Sequence, residues 1–196
     1  METRDQRYVD EDWYGRALDG QVFVDCVFRD VDLTEAVVTG ASFESCEFAG
    51  CRFNASTHRA ASYVACTFRR TSFFGATLDG CRMTGSVFVD CTLRPLTVRG
   101  GQWRGVSLRG ARLTGLDLSG LQLAEADLAE ADLSDTDLSG ADLAGATLRR
   151  TVLHRADLRR ANLERVDLSE CLLADTRFDL AGAVQLAESR GAVVGE

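Results

Sequence analysis

Lysine is missing from this 196-residue chain: all 22 basic residues are arginine. A lysine Schiff base and the lysine of a phosphate-binding loop are therefore excluded. Histidine occurs only twice, at His58 and His154, too few for a histidine cluster that could hold a metal or run acid–base chemistry. Basic excess is missing too. The formal net charge is −8, which argues against a general nucleic-acid binder, because releasing counterions from phosphates needs a basic face. No window approaches the ~18 apolar residues of a membrane helix. The opening segment METRDQRYVDEDWYG has no apolar core and does not read as a secretory signal. Proline occurs once, so the chain must turn by other means.

What is present is apolar enough to fold: 45% of the residues are hydrophobic, which rules out a disordered tail. The seven cysteines, an odd number without a signal segment, point to reduced thiols in the cytoplasm.

The strongest signal is a repeat of five. Every fifth residue from Leu18 to Phe178 is apolar or aromatic at 32 of 33 positions, His58 being the exception. The position two before nearly all of these centres is small or apolar, and all seven cysteines fall there: Cys26, Cys46, Cys51, Cys66, Cys81, Cys91 and Cys171. They read as small buried side chains beside Ala, Ser and Thr, and no metal site is expected. Of the 15 glycines between Gly15 and Gly145, 14 lie two after a centre; Gly101 is the exception. A turn residue at positive φ explains that phase. A period of five fits neither a helix nor a strand. It fits a chain that turns a corner every five residues and keeps two of every five side chains inside.

The blocks AEADLAEADLSDTDLSGADLAGATL and RADLRRANLERVDL resemble the A(D/N)LXX motif of pentapeptide-repeat proteins. The resemblance covers about residues 16–178. It implies an all-β fold, a right-handed quadrilateral parallel β-helix of about eight coils, about 38 Å long at the spacing of stacked strands. Within the family, Gly85–Thr97 (GSVFVDCTLRPLT) is similar to the MfpA/Qnr-type fluoroquinolone-resistance proteins, the MfpA type above all. That likeness implies a DNA-mimicking binder of DNA gyrase, a type II topoisomerase, acting as a homodimer through its C-terminal end. No enzyme activity, no cofactor, no direct contact with nucleic acid and no membrane span are expected from the residues. The alternative is a scaffold for a different cytoplasmic protein.

The expected division is an N-terminal tail over 1–12, the β-helix over 13–178 and a C-terminal helix with a dimerisation tail over 179–196. Asp179 can cap that helix and Gly191 can stop it, with Leu180, Ala183, Val184 and Ala187 on one side and Val193 and Val194 beyond. These six residues are the expected dimer contacts. Trp13 and Tyr14 are expected to close the other end.

Coils of four repeats place residues twenty apart above one another. Arg29, Arg69, Arg109 and Arg149 then recur on every second coil, as a solvated face or as a stripe for an acidic partner. A candidate partner surface is an acidic belt: Asp117, Glu125, Asp127, Glu130, Asp132, Asp135, Asp137 and Asp142, with no arginine between Arg112 and Arg149. The Asp before each centre also suits local turn amides; Glu125, Glu130 and Asp135 are not explained that way. His58 is expected to be buried and hydrogen-bonded, His154 exposed, and Phe74 an outward-facing contact residue. No catalytic residue is expected.

Overall fold

Every fifth residue turns the chain. In the computed structural model, which describes residues 2–195, φ lies between 48° and 71° at every fifth position from Asp5 to Asp175, Pro95 and Glu170 excepted. Glycine meets this demand without steric cost. Yet 19 of the corners with positive φ carry another residue, and seven of these are Asp, which tolerates the left-handed region better than most.

Between corners the chain runs straight for three residues, and four such runs complete a coil. One face stacks β1 (Glu2–Arg4), β4 (Val22–Val24), β7 (Ser42–Glu44) and β10 (Ser62–Val64). The next stacks β2 (Arg7–Val9), β5 (Val27–Arg29), β8 (Glu47–Ala49), β11 (Thr67–Arg69) and β13 (Val87–Val89). The third is a column of single bridges, Asp12 to Asp32, Arg52, Ser72 and Thr92. The fourth stacks β3 (Ala17–Asp19), β6 (Val37–Thr39), β9 (Thr57–Arg59), β12 (Ala76–Asp79) and β14 (Leu96–Arg99). All pairings are parallel and offset by 20 residues, as Glu2↔Val22 and Phe23↔Phe43 show. The strands make about five turns of a β-solenoid, and the same register continues as isolated bridges to Asp157↔Arg177. Residues 2–9, expected to lie in an N-terminal tail, belong to the first coil.

The interior changes material part-way. In the first half, rings stack along each column: Phe23–Phe43 at 5.0 Å, Phe43–Tyr63 at 4.8 Å, and Phe28–Phe48–Phe68–Phe88 at 4.7 to 4.9 Å between centroids. Parallel stacking follows from the 20-residue offset, and each such pair adds roughly 0.5–1.5 kcal/mol beyond area burial. Above Trp103 the centres are leucines, from Leu108 to Leu168, nearly all fully buried.

The small inner column has a second task. Its thiols and hydroxyls donate to the carbonyl 23 residues back, one coil below: Cys46 to Phe23 at 3.5 Å, Thr71 to Phe48 at 3.1 Å, Ser86 to Tyr63 at 2.8 Å, Thr151 to Leu128 at 2.8 Å. All seven cysteines are free, and six are buried. Burial pushes Cys51 and Cys81 up to about 11, so these thiols stay protonated and serve as packing groups. Gly101, the glycine out of phase, lies in this inner column. At φ 119° its α-carbon approaches the coil below so closely that a Cβ would overlap the Cys81 carbonyl oxygen.

The ladder opens beside Pro95, as it does again higher up, where Asp167 N makes no bond to Ala146 O. The rung hydrogen bonds from Arg112 N to Cys91 O and from Asp117 N to Leu96 O are missing. Their equivalents one coil higher, Asp132 N to Ala111 O at 2.9 Å and Asp137 N to Leu116 O at 3.0 Å, are made. Pro95 occupies the corner between the two opened faces. Proline cannot take the left-handed conformation and has no N–H to give the next coil, so this corner neither turns nor bonds like the others.

A ten-residue helix, α1 (Leu180–Ser189), closes the C-terminal end. Asp179 caps it, accepting from Gly182 N at 3.0 Å, and Gly191 follows at φ 85°. Gly182 is buried against Phe178 and Leu163, and Leu186 packs on the core. Gln185 donates to Val166 O at 3.0 Å and Ser189 Oγ accepts from Leu168 N at 3.2 Å, satisfying the open edge of the last coil. Among the described residues no helix is long and apolar enough to cross a membrane.

Candidate functional site

The acidic residues separate by register into two sets. Asp127, Asp132, Asp137 and Asp142 sit on the four faces of a single coil. Each turns one carboxylate oxygen to the amide two residues on, at distances from 2.8 Å for Asp137 to 3.2 Å for Asp142, and Asp117 does the same to Ser119 N at 3.0 Å. These are Asx turns, so part of each charge serves the repeat itself. Asp132 is held below the usual carboxylate range by the Ser134 hydroxyl, which donates at 2.6 Å, and then by the Ser134 amide.

The second set occupies corners. Glu125, Glu130 and Asp135 lie on three successive corners at φ 61°, 62° and 58°, and Gly140 makes the fourth. The sequence has no arginine between Arg112 and Arg149, but stacking brings arginines from the adjacent coils. Arg104 reaches Glu125 at 2.6 Å, Arg109 reaches Glu130 at 2.6 Å, and Arg155 grips both oxygens of Asp135 at 2.6 and 2.7 Å. These pairs are exposed, and each is worth roughly 0–1 kcal/mol. The corner charge is thus neutralised in place.

The charge left over concentrates on the fourth face. Asp117, Asp137 and Asp157 bridge in sequence up that face, one rung apart, about 4.8 Å per rung. Arg159 pairs with Asp157 and pulls its carboxyl down to about 2. Asp117 and Asp137 are exposed and, among the described residues, have no ion pair. Asp127, Asp132 and Asp142 are half-buried on the other faces.

The register also fixes the other residues singled out by the sequence. Phe74 points outward on the third face, 56% exposed. Arg29, Arg69, Arg109 and Arg149 share one column of the second face, with Ala49, Val89 and Ala129 between them. His154 is half-buried instead of exposed. At the base Trp13 is buried under Tyr8 and the Arg16 guanidinium, while Tyr14 is exposed. Of the expected dimer contacts, Leu180 is 83% and Val193 97% exposed, Ala183 and Val194 are exposed, and Val184 and Ala187 are half-buried. That side faces away from the rod. The docking side, Gly182, Gln185, Leu186 and Ser189, was missed, because one small residue and two polar ones on it satisfy backbone groups and do not read as an apolar stripe.

The family model for pentapeptide repeats (8 copies) matches residues 22–57, 104–140 and 136–175. The chain belongs to the pentapeptide-repeat family. Among solved structures, it is similar to a trypsin-treated variant of QnrB1, described as a plasmid-mediated fluoroquinolone resistance protein, at 20% identity. The match covers 100% of both chains with a TM-score of 0.63. Full-length QnrB1 aligns at 21% identity over 98% of this chain and 100% of that one, TM-score 0.59. At these identities the likeness is one of fold. No curated protein matches the sequence.

Proposed function

We propose that this pentapeptide-repeat protein binds DNA gyrase in the cytoplasm as a DNA-mimicking rod of the MfpA/Qnr type, modulating or inhibiting supercoiling and protecting against fluoroquinolones or another gyrase poison. The observation that carries the reading is the exposed, unpaired column Asp117–Asp137 on the smooth fourth face, beside the corner glycines Gly120 and Gly140. The outward apolar side of α1 supports a homodimer, two rods end to end, through Leu180, Ala183, Val184, Ala187, Val193 and Val194. Such a rod is about 77 Å long, and a duplex of that length carries about 45 charges. Two chains at −8 each fall far short. Mimicry therefore rests on rod shape plus a local acidic face, meeting the basic surface on which the enzyme holds DNA. Binding, not catalysis, is the expected activity: the His58 imidazole is sealed in the core and six of the seven cysteines are buried.

The test is a gyrase supercoiling assay with and without drug. Inhibition or protection at micromolar protein is expected, and neither would sink the reading. Reversing Asp117, Asp127, Asp132 and Asp137 to Arg should abolish the effect; an unchanged effect rules out the belt. A second reading, a scaffold for another cytoplasmic protein of acidic surface, is favoured by the arginine column Arg29–Arg69–Arg109–Arg149, and pull-down from lysate with gyrase absent separates the two.

A further inference from the structure

Where the ladder opens, the wall of the rod opens too. The inner column at this corner runs Val31, Cys51, Thr71, Cys91, Ala111, Ala131, Thr151. Five of these are 0–1% exposed, but Cys91 and Ala111, which flank the missing rungs, are half-buried. Between their coils lies a cleft of about 560 Å³, lined by Asp90 to Arg94 below and Arg109 to Arg112 above.

Three arginines line this cleft, Arg94, Arg109 and Arg112, with one acidic residue, Asp90. Arg109 is shared with Glu130. Arg94 and Arg112 have no ion pair among the described residues. The main-chain N–H groups of Leu93 and Arg112, whose equivalents in most other coils bond across the rung, have no backbone acceptor here. Arginine forks and free amides at one opening are the donor set that planar and tetrahedral oxyanions require.

We propose that this cleft is an oxyanion site, taking the phosphoryl group of a small molecule. Arg94 and Arg112 grip the anion from the two coils, the Arg112 amide supplies a further donor, and Asp90 disfavours ligands that fill the far side with charge. The site does not depend on gyrase binding.

Titration of the ¹⁵N-labelled full chain with pyrophosphate, inorganic phosphate, citrate and chloride at matched ionic strength tests it. Saturable shifts confined to residues 90–94 and 109–112 are expected with pyrophosphate and phosphate, and none with chloride. Citrate binding equally well would overturn the assignment to a phosphoryl group. Arg94→Gln with Arg112→Gln should weaken binding about tenfold or more while the chain stays folded. No saturable shift at millimolar pyrophosphate, or unchanged affinity in the folded variant, overturns the proposal. Should the variant not fold, Cys91 provides a readout in the wild-type chain. It is the one cysteine that is not buried, and it lines the cleft. Pyrophosphate should slow its reaction with a neutral disulfide reagent several-fold; an unaffected rate counts against the site.

Discussion

Nδ1 of His58 accepts a hydrogen bond from the Tyr63 hydroxyl at 2.7 Å, inside a fully buried aromatic core. The rest of the network fixes the tautomer. Ser56 Oγ donates to Phe53 O at 2.7 Å, so it accepts from Nε2–H of His58 at 2.8 Å. Every polar atom of the neutral ring is satisfied, and no group is left to stabilise a charged one.

Stability should therefore fall in mild acid. Desolvation pulls His58 down to about 3 in the folded chain, against about 6.5 unfolded. Between these values the unfolded state binds the extra proton. The contribution is complete above about pH 6.5 and is lost toward pH 3, at up to ~1.4 kcal/mol per pH unit. Urea midpoints from pH 8 to 4 would show the slope. His58→Phe with Tyr63→Phe and Ser56→Ala should flatten that part of the profile; an unchanged slope would assign it elsewhere.

Gly101→Ala should cost several times more than Gly100→Ala. Both residues have positive φ, at 119° and 59°. At Gly100 nothing lies within 4 Å of an added Cβ, so the cost is the left-handed penalty, about 1–2 kcal/mol. At Gly101 the new atom runs into the Cys81 backbone, which cannot swing away. Thermal unfolding of the two variants measures the difference.

The acidic corners are not held by stability. Glu130→Gly removes an exposed ion pair worth at most about 1 kcal/mol and relieves a left-handed corner costing about as much, while glycine loosens the unfolded chain. The net change in urea stability should stay within about 1 kcal/mol. A larger loss would mean that the Arg109–Glu130 bridge is structural.

Amide exchange should find the opened level. Arg112 and Asp117 lack the rung bonds that Asp132 and Asp137 make, so their amides should exchange orders of magnitude faster than those two. Equal protection would place the weak point elsewhere.

The two sides of α1 should separate by substitution. Leu186→Asp, on the packed side, should lower the melting temperature by several degrees. Leu180→Asp, on the outward side, should leave it unchanged and halve the solution mass if the end-to-end dimer forms, as sedimentation would show.

Much of this was legible in the sequence because a five-residue repeat repeats its environment. The centres, the inner cysteines, the turn phase and the cap at Asp179 each follow from a single position within one repeat. What was not legible depends on neighbours twenty residues away. The belt reads as free of arginine along the chain, yet Arg104, Arg109 and Arg155 reach it across coils. The lone proline reads as a mere shortage, yet Pro95 stands where two ladders part. Residues 2–9 read as a tail because Thr3 and Tyr8 extend the register only once Phe23 and Phe28 are seen beside them.

The twenty-residue coil also gives each residue a compass bearing. Insert or delete a full coil below Asp117 and the acidic column keeps its heading relative to the base, merely higher or lower. Remove a single repeat of five and every local motif survives, but everything above swings through a quarter turn, presenting Asp137 where Asp132 had been. Length variants of this chain should thus be judged by their remainder on division by twenty more than by how many residues they gain or lose.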